Sequence, residues 1–257
     1  AFILGETSKE VKGRMPIFPT GFPIIVNVFG SIPKMTIDGQ VFQTKSRTII
    51  AGQIENIKIH SDFHGIHGQL GIILHPTAPY YLFHKSGEEL RNLFTPLGQI
   101  SPIPCRDLEE NLARKPLSKG ERFNHLLTFL NLLEQQRLPC IEWLEISLLR
   151  IFEQNGNIDQ RDLCQSSGVC SRHYRRVFRK IIGVSPKYFC KVIQMNTAFE
   201  ALNLEDPQKL HHILLDCGYY DQAHFINDFR KMFGESPGKF LNRKDTYIRN
   251  FMGRSGT

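Results

Sequence analysis

The chain has 257 residues, 41% of them hydrophobic and 22% charged, proportions that fit a globular protein with a sizeable core and exclude a low-complexity tail. No apolar run approaches the roughly 20 residues a membrane-spanning helix needs. The formal net charge of +7 is uneven: Ile158–Asn250 hold 15 Lys/Arg against 10 Asp/Glu, whereas Ala1–Asn157 hold 16 against 15, so the basic excess points to a polyanion at one end, nucleic acid first.

Ala1–Glu10 lack the basic-then-apolar build of a secretory signal, and the missing initiator Met leaves the natural start open. Up to about Pro104 the pattern is β. Short apolar and β-branched runs at Ile24–Phe29, Gln40–Phe42, Thr48–Ala51, Ile54–Ile59 and Gly68–Leu74 are punctuated by Asp38-Gly39, Gly52, Gly65 and Pro76, which predicts a compact sandwich or small barrel. His60, His64, His67, His75 and His84 crowd this stretch, but without the H-x-H pair and following Glu of metal-binding cupins, so no metal is expected. The cysteines, Cys105, Cys140, Cys164, Cys170, Cys190 and Cys217, form no C-x-x-C pair and read as reduced thiols in cytoplasm rather than a zinc or redox site. With no phosphate-binding glycine loop and no G-x-S-x-G elbow, neither an enzyme nor a cofactor is expected.

From Asp107 the period becomes helical. Phe123, Leu126, Leu127, Leu130 and Leu133 share a face, and a second helix runs through Ile141–Phe152 after Pro139. Residues 105–155 therefore read as a helical connector that either docks two domains or forms a dimer seam.

The C-terminal third contains a repeat. Phe178-Arg179-Lys180-x-x-Gly183-x-Ser185-Pro186-x-x-Phe189 returns 51 residues later as Phe229-Arg230-Lys231-x-x-Gly234-x-Ser236-Pro237-x-x-Phe240. Each copy predicts a helix closed by Gly, then a new helix capped by Ser with Pro in its first turn. Upstream of each copy lie a short helix, a glycine turn and a second helix: Asp159–Ser166, Gly168 and a helix from Ser171, then Leu210–Cys217, Gly218 and a helix from Asp221. Two helices across a tight glycine turn make a helix-turn-helix, whose second helix enters the major groove.

The first recognition helix divides into two faces. Tyr174, Phe178 and Ile181 are spaced to pack inward, while Arg172, Arg175, Arg176 and Arg179 share another face. Ser171–Lys180 holds five Lys/Arg and no acidic residue, where a merely solvated face would mix in Glu or Asp. Arginine suits both guanine edges and phosphates. In the second recognition helix Phe225, Phe229 and Met232 form the inward stripe. Gln222, Ala223, Ile226, Asn227 and Arg230 face outward, and Asp221 and Asp228 offset the charge, which predicts amide and apolar readout; a purely structural second unit remains the alternative.

These residues resemble the AraC family of bacterial transcription regulators across about Asn157–Arg243. Gly218-Tyr219-Tyr220-Asp221-Gln222-Ala223-His224-Phe225, Phe229-Arg230 and Gly234-x-Ser236-Pro237 carry the likeness in the second unit; Gly168-Val169-Cys170-Ser171-Arg172-His173-Tyr174-x-Arg176-x-Phe178 carries it in the first. The resemblance implies an all-α domain over 156–245, with a linker helix over about Pro186–Leu204 joining two units that read successive major-groove segments of double-stranded DNA. It places base readers at Arg172, Arg175 and Arg176, and at Gln222, Ala223 and Asn227; His173, Arg179, His224 and Arg230 complete the candidate DNA-binding set. There are three departures from the family: Cys170 stands at a Ser/Thr cap, Gln194-Met195 replaces an Arg-apolar pair, and Cys164 replaces an alanine.

Ala51-Gly52-Gln53-Ile54 and Gly71-Ile72-Ile73-Leu74-His75-Pro76 are similar to the sensor domains of one branch of that family. They imply an α+β chain of two domains: a cupin-like β sandwich or barrel over 1–104, the connector over 105–155, the helical domain over 156–245, and a tail at 246–257. The function implied is a cytoplasmic transcription regulator modulated by a small effector whose binding residues are not specified. RNA polymerase and a second copy of the chain are further candidate partners, and no membrane is. The alternatives are a constitutive DNA binder whose β domain only dimerises, and a cupin-like ligand-binding protein with a degenerate helical tail, against which the arginine face argues.

Overall fold

The computed structural model describes residues 2–6, 10–114, 117–201 and 207–241. Its strands are β1 (Phe2–Glu6), β2 (Val11–Ile17), β3 (Ile24–Gly30), β4 (Lys34–Ile37), β5 (Gln40–Phe42), β6 (Thr48–Ala51), β7 (Ile59–Gly65), β8 (His67–Ile73) and β9 (Phe94–Pro96). They form two antiparallel sheets, ordered β1-β8-β3-β6-β9 and β2-β7-β4-β5, so the N-terminal part is a β sandwich.

The first sheet is buried on both faces, and the pleat divides its residues. Ile25, Ile50, Leu70 and Ile72 pack outward against Leu126, Phe129 and Leu133 of α5 (Lys119–Glu134) and Leu108 and Leu112 of α4 (Arg106–Ala113). Their neighbours Val26, Ile49, Gly71 and Ile73 face inward on a cavity between the sheets. A sheet covered on both sides needs apolar residues in succession, which is why these strands read as runs. Where the helices meet the sheet, the guanidinium of buried Arg122 donates to Asn27 Oδ1 (3.2 Å) and to the Leu112 carbonyl (3.0 Å), and lies over the Phe29 ring.

Two expectations need correction. Ile54–Ile59 is not a strand. Asn92 N–H donates to the Gln53 carbonyl, and the Asn92 side chain accepts from Glu55 N–H (2.7 Å) and donates to its carbonyl (3.0 Å). Asn56 takes a positive φ, so this segment is a pinned turn and the strand starts at Ile59. The β pattern also does not continue to Pro104, because α1 (Ala78–Phe83), α2 (Gly87–Leu90) and α3 (Leu97–Ile100) interrupt it. A reciprocal Ser86/Glu89 capping box starts α2.

The helices that follow α5 are α6 (Glu142–Glu153), α7 (Gln160–Ser166), α8 (Ser171–Ile182), α9 (Pro186–Ala201), α10 (Pro207–Asp216), α11 (Gln222–Phe233) and α12 (Pro237–Leu241). Residues 105–155 divide between two cores: α4 and α5 lie on the β sheet, whereas Leu144, Leu148 and Ile151 of α6 pack with Tyr174 and Phe178 of α8. The linker helix α9 is observed to Ala201; residues 202–206 and the expected tail at 246–257 lie outside the described residues.

Candidate nucleic-acid interface

The repeat is also a repeat of packing. Phe178 meets Phe189 edge-on with ring centroids 5.7 Å apart, and Phe229 meets Phe240 in the same way at 5.8 Å. Ser185 Oγ accepts from Tyr188 N–H, and Ser236 Oγ accepts from Lys239 N–H. Gly183 and Gly234 close α8 and α11 at φ +100° and +80°, where a side chain would be strained. Each unit therefore surrounds an aromatic pair, with Leu144, Leu148 and Ile181 in the first and Leu214, Tyr219, Phe225 and Phe199 in the second. Burial pushes the Tyr174 hydroxyl up to about 12 and raises that of Tyr219 as well, so both rings sit uncharged in their cores.

Tyr174, Phe178 and Ile181 of α8 are fully buried, and Arg172, His173, Arg175, Arg176 and Arg179 are exposed. Arg172 and Arg175 make no hydrogen bond or ion pair among the described residues, and Arg176 lies 3.2 Å from His173 Nδ1. The C-terminal end of the helix is engaged elsewhere. Arg179 Nε donates to Glu88 Oε1 of α2 at 2.9 Å, and Lys180 Nζ lies over the Tyr80 ring of α1. Gly87 and Gly183 meet backbone to backbone: a Cβ on Gly183 would come within 2.6 Å of the Gly87 carbonyl oxygen. The structure thus separates the basic stripe into an open half, Arg172 to Arg176, and a half held by the β domain.

The cap of α8 differs from its counterparts. Cys170 is the N-cap and makes no side-chain capping bond, and Ser171 is the first helical residue. In α11 Asp221 accepts from His224 N–H at 2.7 Å, and in α7 Asp159 accepts from Arg161 N–H.

Gln222, Ala223, Asn227 and Arg230 are exposed on α11. His224 is partly exposed, with Nε2 3.4 Å from Asp228 and Nδ1 buried. Asp228 also pairs with Lys191 of α9, whose ammonium sits over the Tyr219 ring. That carboxylate, which in sequence offsets the basic charge, instead ties α11 to the linker helix. Of the other departures, Met195 lies in the second unit's core and Cys164 in the first, while Gln194 is half-buried.

The β domain reaches both units through the segment between β2 and β3. Phe18 packs on Phe233 and Phe240, Phe22 stacks on Phe152, and Thr20 carbonyl accepts from Asn196 Nδ2 at 2.8 Å. A second tie comes from Tyr188 Oη, which donates to the Ile54 carbonyl at 3.1 Å. Sequence reasoning missed Glu88, Phe18, Phe22, Tyr188 and Asn196. No local pattern marks them, because each matters only through a residue far away in the chain.

Two helices across a glycine turn, twice over, with an open arginine stripe on the first, match a helix-turn-helix family over residues 163–243. These residues are an AraC-type helix-turn-helix domain. An uncharacterized HTH-type transcriptional regulator of Haemophilus influenzae is 29% identical over 158 residues, covering 57% of this chain and 52% of the relative. The chain thus spans about half the length of that relative. Among solved structures, apo ToxT K231A from Vibrio cholerae superposes with a TM-score of 0.55 at 14% identity, over 93% of this chain and 96% of that one. ToxT bound to (E)-4-(8-methylnaphthalen-1-yl)but-3-enoic acid gives a TM-score of 0.51 at 13% identity, over 94% and 97%. At such identities the likeness is one of fold, and it extends over nearly the whole of both chains.

Proposed function

We propose that this chain is a cytoplasmic, sequence-specific DNA-binding transcription regulator whose helical domain reads DNA and whose β domain senses a small molecule. The observation that carries the DNA reading is the open stripe of Arg172, Arg175 and Arg176 on a helix anchored by Tyr174 and Phe178. Arg172, Arg175 and Arg176, with His173 beside them, read bases and grip phosphates in one major-groove segment. Gln222, Ala223 and Asn227, with Arg230, read a second segment about one helical turn away. Arg179 joins the phosphate contacts when Glu88 releases it. His224 acts by orienting α11 through Asp228.

The effector reading rests on the cavity between the sheets. Phe18, Thr20 and Phe22 line it and also touch the second unit, the linker helix and the first unit. A ligand that displaced this segment would change how the two units are held, with no need for a longer route. The solved ToxT complex with an organic acid supports the idea that this fold accommodates small molecules. A dimer would have an apolar surface available on α5, where Leu127 and Leu132 are exposed.

Selection of binding sites from random-sequence DNA with the full chain tests the DNA reading. Arg172→Ala or Arg176→Ala should then cost about 1–3 kcal/mol on the selected site and less on random DNA. Equal losses on both would show that these arginines contact only phosphate.

A further inference from the structure

We propose that the cavity between the two sheets binds an uncharged, largely apolar molecule about the size of one aromatic ring or a short alkyl chain, and rejects organic acids and sugars. This deepens the effector reading above and rests on it.

The cavity wall is set by the pleat. Val26, Met35, Ile49, Ile73 and Phe94 turn their side chains inward from five different strands. Among the described residues no Lys, Arg, His, Asp or Glu lines the cavity. Arg14, Asp62 and Lys34 on the same strands alternate onto the other face, whereas His67 shares the face of Gln69 without lining the cavity. Met15 and Ser61 line the cavity, while their neighbours Arg14 and Asp62 pair with each other 3.6 Å apart in a partly exposed bridge. Lys34, beside Met35, is exposed. His67, beyond Gln69 on β8, places Nδ1 2.8 Å from the Ser31 carbonyl, and burial lowers its pKa. A carboxylate inside would therefore lose its hydration without gaining a cation, and an ion so placed is strongly disfavoured.

The polar groups of the wall are mostly used within the protein. Thr20 Oγ1 donates to the Phe22 carbonyl and accepts from Phe22 N–H. Gln53 Nε2 donates to the Gly21 carbonyl at 2.8 Å, and Gln69 bonds His67. Ser61 makes no side-chain hydrogen bond among the described residues. One hydroxyl suits a ligand with a single hydroxyl or carbonyl, but a sugar would bury several unsatisfied groups. The cavity volume is about 130 Å³, close to the roughly 150 Å³ apolar cavity known to accept benzene.

The 257-residue protein should be titrated with toluene and hexan-1-ol, with benzoate and hexanoate, which match them in size but carry charge, and with arabinose, at pH 7.5. Ligand-observed NMR and thermal shift are the readouts. Toluene and hexanol should bind at least about tenfold tighter than the carboxylates, and arabinose should not bind. Filling the cavity by Ile49→Phe or Val26→Phe should abolish binding of the neutral probes. Two variants are specified so that one misfolded protein does not decide the result, and circular dichroism reports whether each has folded. If benzoate or hexanoate binds as tightly as its neutral partner and is lost in the filled variants, the uncharged class is wrong and the effector reading stands. If no probe binds, the proposal is wrong. If filling the cavity also leaves DNA affinity unchanged, the effector reading falls with it.

Discussion

Replacing Glu88 by Gln should strengthen DNA binding and steepen its salt dependence. In the wild type, Glu88 holds Arg179 at 2.9 Å, with both side chains 44% exposed. So exposed a pair contributes only about 0.2–1 kcal/mol to folding, and the variant should keep a nearly unchanged Tm. Arg179 lies seven, four and three residues after Arg172, Arg175 and Arg176, at the spacings that place side chains on one helix face. Once released it can neutralise one further phosphate. One contact steepens the slope of log affinity against log salt by about 0.9, or roughly 3.5-fold more loss of affinity between 50 and 200 mM salt. Fluorescence anisotropy on the selected site at several KCl concentrations measures this. Removing Glu88 also removes a repelling charge, so Arg179→Ala separates the two effects: it should flatten the slope by about 0.9 in the Glu88→Gln background and by much less in the wild type. Equal flattening in both backgrounds would show that Arg179 already contacts DNA despite Glu88, and the idea of a restrained arginine would be refuted.

Cys170→Ser should supply the missing cap of α8 and stabilise the protein by about 1 kcal/mol, read as a shift in urea midpoint; no shift would mean that the exposed amides are equally well served by water. Burial lowers the pKa of His67, so the folded protein resists a proton that the unfolded chain accepts near pH 6.5. Stability should therefore fall as pH drops through 6.5 towards the lowered folded value, and His67→Gln should make the fall shallower; parallel curves for the two proteins would contradict this. Burial pushes the Cys190 and Cys217 thiols up to about 11, whereas Cys140 and Cys170 are exposed. Iodoacetamide at pH 8 followed by mass spectrometry should label the exposed pair first and the buried pair only on unfolding.

The helical domain was legible because its signals are local. A Gly at a helix end, a Ser-Pro start and a buried aromatic every three or four residues act within one turn of the chain, and the 51-residue repeat stated them twice. The open arginine stripe was legible for the same reason: helical periodicity alone puts Arg172, Arg175 and Arg176 on one side and Tyr174 and Phe178 on the other. The β domain was read less well. β7 carries His60, Ser61, Asp62 and His64, polar residues that hide a strand, while the run Ile54–Ile59 reads as a strand but its first part is held as a turn through Glu55 by Asn92, 37 residues further on. Only the tertiary structure shows that Glu88 reaches Arg179, that Phe18 and Phe22 grip different units, and that a cavity lies between the sheets. Those features depend on which segments pair and pack across the chain. That choice is made by the summed burial of two sheets and several helices, and no short window of sequence contains it.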